Sequence, residues 1–389
     1  MNIPKLSWKN TWSRPLTTLL NMLLTILGVV MISTLLTLGN QVKQTLERNL
    51  GGIDMVIGAK GSPLQIILSS VFHVDVPTGN IKLAEAQQFM RHRFIGQSIP
   101  LSYGDAYHGF RIIGTDTSYL KIYKGNIVQG RIWKEPMEVV VGSRVANTLN
   151  LSIGSKLEST HGLGEEGASH DQHFHVVGIL ETSGSVLDQL ILTDTRSVWE
   201  VHHVADSDQK EITALLVKFR SPMGMVQLPR QINQGTSMQA ALPAFEINKL
   251  MSMMGIGLDV MLWLGYLIIG VSGLGVFISL YSSFKDRKYE MALIRTYGGS
   301  RLQLVQMITL EGLYVSISGA LVGLLIAKVS WWMISSGLDS QFHYQLPVDM
   351  FAIRDLIIVT VVGFLGVLAA IVPALQAARL DIASTLSDV

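Results

Sequence analysis

Four stretches of this 389-residue chain run for twenty residues or more with little or no charge, and they constrain the fold more than any other feature. The first lies between Arg14 and Lys43, and the second between Asp259 and Lys285. The third runs from about Ile308 to Ile334 and holds Glu311 and Lys328; the fourth lies between Asp355 and Arg379. A bilayer core is crossed by about 20 apolar residues in a helix. Lipid offers backbone amides no partner, so an isolated apolar span must satisfy its own hydrogen bonds as a helix. These stretches therefore predict transmembrane helices over 16–38, 257–282, 308–334 and 355–378. The first is too long for a signal-peptide core and has no small-x-small cleavage site close behind it, so it reads as an uncleaved span.

Composition agrees. Only 15% of the residues are charged, against about 25% in soluble domains. A net charge of +1 gives no electrostatic case for nucleic acid. The chain has no cysteine, which excludes disulfides and thiol catalysis.

Short-loop Lys and Arg orient a membrane protein, because cytoplasmic loops carry the excess. Lys5, Lys9 and Arg14 precede the first span, and Lys285, Arg287, Lys288, Arg295 and Arg301 separate the second from the third. The loop at 335–354 holds only Arg354. The expected topology puts the amphipathic segment 1–15, the charged loop 283–305 and the tail 379–389 in the cytoplasm. It puts 39–256 and 335–354 outside, together with all ten histidines, His343 included.

The outer segment is long enough for its own core. "DMVIGAK" (54–60), "FRIIGTD" (110–116), "EVVVGS" (138–143), "FHVVGILE" (174–181), "LILTD" (190–194) and "ITALLVKF" (212–219) read as strands. Residues 83–94, 143–151 and 193–203 read as helices, and 161–173 as a Gly-rich polar loop. The fold class is thus a four-helix membrane protein with a large mixed α/β extracytoplasmic domain between helices one and two.

Three further features bear on chemistry. His170, His173 and His175 lie close together, and if 174–181 is a strand His173 and His175 share a face, a spacing that suits zinc. Glu311 and Lys328 stand inside a span, where charge is expensive; "WWM" after Lys328 favours snorkelling to the interface. Gly319 and Gly323 form a small-x-x-x-small pair suited to close helix packing, as in a dimer core. No Ser/His/Asp set, His-Glu-x-x-His or paired-carboxylate motif points to an enzyme.

The charged loop is the richest motif. Tyr289, Ala292, Leu293 and Thr296 fall at i, i+3, i+4 and i+7 as one semi-apolar helix face, and Gly298-Gly299 stops the helix. A positive-inside anchor needs neither an ordered helix nor a stop, whereas a short amphipathic helix at this place suits lipid or a soluble partner.

"DRKYEMALIRTYGGSRLQL" resembles the signature of the FtsX/MacB-like permeases of type VII, or mechanotransmission, ABC transporters, through Arg287, Glu290, Met291, Ala292, Ile294, Arg295, Tyr297, Gly298, Gly299 and Ser300. "PALQAARLDIASTL" resembles the family's C-terminus through Pro373, Ala377, Arg379, Asp381 and Leu386, with Ile382 and Ala383 in place of its Pro-containing step. "LSWKNTWSRP" resembles its entry into span one. In plan the chain looks closest to the lipoprotein-releasing permeases.

The resemblance implies a bacterial inner-membrane permease subunit with cytoplasmic termini and a periplasmic domain. It implies a dimer of this chain with itself or a paralogue, and a P-loop ABC ATPase as partner. It makes 283–305 the coupling-helix loop, with Arg287, Tyr289, Glu290, Leu293, Arg295 and Gly298 coupling to the ATPase. The chain has no G-x-x-x-x-G-K-[ST] stretch, so ATP and magnesium are expected on that partner, with no cofactor in the chain itself beyond the zinc considered above. Work would be done on a periplasmic protein or lipoprotein, as in lipoprotein release or tripartite efflux, with membrane lipid around the spans. The competing reading is a membrane-anchored extracytoplasmic sensor or a zinc-binding or uptake component.

Overall fold

Four helices are long and apolar enough to cross a membrane, and a mixed α/β domain lies between the first and the second, the fold class expected above. The computed structural model describes residues 2–161, 169–204, 206, 209–342, 352–382 and 385. Its first elements are α1 (Ile3–Thr11), α2 (Pro15–Leu50), β1 (Met55–Ala59), α3 (Pro63–Ser70), β2 (Ile81–Lys82), α4 (Leu83–Met90), β3 (Ile95–Tyr107), β4 (Phe110–Thr115), α5 (Ser118–Ile122), β5 (Ile127–Gly130), β6 (Glu138–Val141) and α6 (Ser143–Thr148). There follow β7 (Lys156–His161), β8 (Ser169–Leu180), β9 (Leu190–Asp194), α7 (Thr195–Val201), β10 (Glu211–Ile212), β11 (Ala214–Phe219), α8 (Met223–Gly235), β12 (Met238–Ala241), α9 (Pro243–Asp286), α10 (Lys288–Thr296), α11 (Arg301–Phe342) and α12 (Ile353–Ala378). They divide into two units: Met1–Gln41 with Met254–Val389, and Val42–Met253.

The spanning helices outrun their apolar stretches. α2 opens on Pro15, where the missing N–H has no helical acceptor to lose, and closes at Leu50 before Gly51 and Gly52, both at positive φ. α9 opens on Pro243 and continues to Asp286. α11 reaches Phe342, so the first part of the 335–354 loop is helix instead. "SSGLDSQF" contains only an isolated glycine, which a helix tolerates, and no proline until Pro347. His343 lies outside the described residues.

Within the bundle, small residues let backbones approach. A Cβ on Gly319 would lie 2.9 Å from Thr25 Cβ, and one on Gly323 would lie 2.9 Å from Val29 Cβ. This small pair therefore seats α11 on α2 of the same chain, not on a second copy. Thr25 and Ser272 hydroxyls meet at 2.6 Å, joining α2 to α9 by a buried polar contact. Lys328 Nζ lies 2.7 Å from Asp355 Oδ2 in the first turn of α12. An ion pair between neighbouring helices lowers the cost of the charge, a pairing the linear sequence does not display.

The second unit is built on a ten-stranded mixed sheet in the order β12-β1-β11-β3-β4-β9-β6-β8-β5, with β7 bridging β3 and β8. The pairs β4/β9 and β6/β8 are parallel; the other ladders are antiparallel. All six strands read from the sequence are present. The long strand β3 was not anticipated, because Gly96, Pro100 and Gly104 interrupt it. Partners on both sides override that propensity: Leu101 is opposite Ala214 on β11 and Thr115 on β4. The polar loop read at 161–173 is also shorter, since 169–173 belong to β8 and pair with β7. In 222–243, where only the lead into α9 was expected, α8 and β12 form first.

The ends of α2 and α9 are part of this unit's core. Leu46 and Leu50, with Leu250 and Met251, pack on the cluster that contains Val56, Leu101, Tyr119, Leu216 and Ile247. Asn49 is held twice: its carbonyl accepts from Tyr123 Oη at 3.0 Å, and its Oδ1 accepts from the Val186 amide at 3.2 Å.

Beside that junction lies a buried histidine. His73 takes a left-handed backbone, φ 56°, and is 7% exposed. Tyr103 Oη donates to Ser69 O at 2.7 Å, so it accepts from His73 Nδ1–H; Tyr119 Oη then donates to His73 Nε2 at 2.7 Å. Burial, and secondarily the nearby Arg111 charge, lowers the His73 pKa to about 3. Burial raises the pKa of Tyr103, Tyr119 and Tyr123. The unfolded chain takes up a proton near pH 6.5 that the folded domain refuses until about pH 3. Stability is therefore full above pH 6.5 and falls as pH drops through that window, by up to about 1.4 kcal/mol per pH unit from this group. We expect His73→Asn, which tolerates the left-handed backbone, to flatten the acid dependence of the full chain's unfolding temperature by about one proton's worth. An unchanged slope would contradict the assignment.

Candidate functional site

The charged segment folds as a short helix wedged between two long ones. α9 ends at Asp286, Arg287 breaks the helix at φ −108° and ψ 15°, and α10 runs Lys288–Thr296. Gly298 takes φ +90°, a left-handed position that glycine reaches without strain. Its amide donates to Arg295 O at 3.1 Å, and the Gly299 amide to Ile294 O at 2.9 Å. This is the Schellman double bond, and it ends α10 at Thr296, with four residues left before α11 begins at Arg301.

The buried side of α10 borders the semi-apolar stripe read in the sequence and shares Ala292 with it. Met291 and Ala292 are 1% and 0% exposed, whereas Tyr289 and Thr296 face outward and Leu293 is half-buried. Met291 sits in one apolar cluster with Phe284 of α9, Leu304 and Met307 of α11, and Ala374 and Ala377 of α12; Ile294 packs against its edge. Helical periodicity offers several adjacent stripes, and the neighbouring helices select one. The two motifs most like the permease signature, 287–300 and 373–386, thereby meet in a single cluster.

Charges lock the same corner. Arg287 Nε lies 3.3 Å from Glu290 Oε2, and its Nη1 lies 3.3 Å from Glu311 Oε1. Glu311 is 4% exposed. Arg14, at the start of α2, pairs with Asp286 and donates to Ser282 Oγ at 3.1 Å. Asn10, Arg14, Thr18, Ser283 and Glu311 line a small polar cavity of about 30 Å3, enough for a water or two. Arg295 Nη1 donates to Gly299 O at 3.1 Å, so its guanidinium supports the helix stop.

The predicted coupling residues thus separate into two groups, with the half-buried Leu293 between them. Arg287, Arg295 and Gly298 hold α10 in place. Tyr289 and Glu290 stand exposed, joined by Tyr297, which is 89% exposed and was not among the predicted contacts. Glu311 and Asp286 also belong to the corner; the sequence signal for Glu311 was a single acid in an apolar run.

The histidines considered for zinc lie in the other unit. His173 and His175 share the side of β8 opposite Phe174 and Val176, and His173 Nδ1 lies 3.8 Å from Glu158 Oε1 of β7. The side chain of His170 lies outside the described residues. Among the described residues, no three His, Cys, Asp or Glu are placed to hold a metal ion.

Two family profiles match the chain. The MacB-like periplasmic core domain matches residues 18–234, more than half of it, and the FtsX-like permease C-terminal region matches residues 263–382. A pyoverdine export ATP-binding/permease protein of Pseudomonas fluorescens is 21% identical over 98% of this chain and 58% of its own length. The chain therefore spans a little over half the length of that relative. The lipoprotein-releasing system transmembrane protein LolE of Haemophilus influenzae is 25% identical over 31% of this chain and 33% of its own. Among solved structures, the periplasmic region of MacB from Actinobacillus actinomycetemcomitans aligns with TM-score 0.36 and 14% identity, covering 53% of this chain and 97% of that one.

Removing one partner of a buried ion pair strands the other charge. We expect Arg287→Ala to destabilise the bundle by about 3–5 kcal/mol, and Arg287→Met with Glu311→Met to recover most of that loss. Unfolding of the wild type and the two variants in lipid nanodiscs measures both values; equal losses in the single and the double variant would show that the pair does not hold this corner.

Proposed function

The chain belongs to the FtsX/MacB-like permease family, and from that premise we propose that it is the membrane subunit of an ABC transporter powered by a separate P-loop ATPase. α10 is the docking element. Its exposed Tyr289, Glu290 and Tyr297 meet a groove on the ATPase, two aromatic contacts flanking one acidic contact. The observation that carries this reading is the order of α10. It is a helix stopped by Gly298-Gly299, packed through Met291 and Ala292 and pinned by Arg287 to Glu311. A surface that only satisfied the positive-inside rule would need none of this. A helix so held passes a push from outside into the bundle instead of absorbing it.

ATP-driven closure of two ATPase subunits would then move two copies of α10. α9 ends one residue before α10 begins and is an unbroken helix back to Pro243, so it carries displacement toward the α/β domain. No pathway for substrate through the spans is required. The domain acts on a periplasmic partner or cargo, and the termini lie in the cytoplasm of a bacterium with the chain in its inner membrane. Relatives named for pyoverdine export and for lipoprotein release support an extracytoplasmic cargo and leave its class to experiment.

The test is a mild-detergent pull-down of the tagged chain from its host, read by mass spectrometry. A P-loop ATPase should come down in stoichiometric amount with the wild type. Glu290→Lys with Tyr297→Ala should reduce its recovery at least tenfold, because both side chains are exposed and neither belongs to the apolar cluster that seats α10. Absence of any ATPase after crosslinking would reject the proposal, and undiminished recovery with the variant would reject the docking face alone.

A further inference from the structure

Helix α1 presents an outward face of unusual composition. Lys5, Trp8, Lys9 and the C-cap residue Trp12 recur at i, i+3, i+4 and i+7 and so share one side. All four are exposed, Trp8 at 49% and Trp12 at 42%. The opposite side is committed to the bundle. Ser7 and Thr11 are buried, Ile3 and Leu6 pack beside the cluster around Met291, and Ser7 Oγ donates to Met307 O at 3.0 Å. Trp8 meets Tyr314 edge-on, ring centres 5.5 Å apart. Met307 and Tyr314 lie roughly 9 and 20 Å along α11 from Arg301. The outward face of α1 therefore runs beside the first turns of a spanning helix, where hydrocarbon gives way to headgroups.

Charge decides which headgroups. No Asp or Glu occurs in the chain before Glu47, so the face carries two ammonium groups and no acid. Indole rings favour the interface, and lysines on the polar side of an interfacial helix favour anionic lipid. We propose that α1 is a binding face for anionic phospholipid, with Trp8 and Trp12 seated at headgroup depth and the Lys5 and Lys9 ammonium groups on lipid phosphates. The proposal rests on the four-span reading but not on which side of the membrane α1 occupies, and it needs no ATPase.

The test uses the full chain in nanodiscs containing either dibrominated phosphatidylglycerol or dibrominated phosphatidylcholine at equal mole fraction. Bromines quench nearby tryptophans, and the Trp8/Trp12 contribution is obtained by difference from Trp8→Phe with Trp12→Phe. Quenching of that contribution should be about twofold stronger with the anionic lipid. Lys5→Gln with Lys9→Gln should abolish the preference while leaving quenching itself. Trp263 and Trp332, 73% and 62% exposed on α9 and α11, should be quenched by both lipids alike and report insertion. Equal Trp8/Trp12 quenching by the two lipids would overturn the proposal. So would its absence while Trp263 and Trp332 are quenched, which would mean that protein covers the face. Loss of quenching at all four would instead overturn the four-span reading.

Discussion

Backbone hydrogen bonding inside lipid is the constraint on which this protein is organised. It forces each apolar stretch into a helix, and once started a helix continues until residues stop it. α2 has 36 residues and α9 has 44, or about 54 and 66 Å at 1.5 Å per residue, against a hydrocarbon core of about 30 Å. The surplus is not idle. Leu46 and Leu50 of α2 and Ile247, Leu250 and Met251 of α9 are part of the core of the α/β domain. The same two helices thus supply an apolar span along one part and residues of the domain core along another.

Inside the bundle, the second constraint is the cost of charge away from water. Glu311 is matched by Arg287 and Lys328 by Asp355. Each pair joins different helices or an elbow to a helix, so neutralising a charge also fixes a geometry. The corner around α10 concentrates this effect. Arg287 reaches a buried acid and an exposed one at once, and lies where α9 gives way to α10. A coupling element that must transmit force is well served by such a joint.

The α/β domain follows different rules. Its sheet mixes parallel and antiparallel ladders, and β3 lies between β11 and β4 despite Pro100 and two glycines. His73 shows the same dominance of context. A residue that ordinarily titrates near neutrality is held neutral by burial and by the nearby Arg111 charge, on a left-handed backbone, while two tyrosine hydroxyls satisfy both ring nitrogens.

Much of this was legible in the linear chain. Apolar runs located the spans, since length and hydrophobicity alone decide what lipid accepts. Alternation located six strands, and the Gly298-Gly299 pair marked the stop of α10. What the chain could not display were relations between distant residues. β3 depends on partners more than a hundred positions away in β11. The inward side of α10 depends on Leu304 and Ala377, which is why Met291, outside the stripe read in the sequence, is buried together with Ala292 while Tyr289 stays exposed. Gly319 and Gly323 look the same in sequence whether they seat a second copy or, as found, Thr25 and Val29 of α2. Local propensity and hydrophobicity are properties of short segments, so the sequence by itself determined the spanning helices, six strands and the stop of α10. Pairing of charges, choice of buried face and closeness of helices are properties of what stands opposite, so only the tertiary structure decided them.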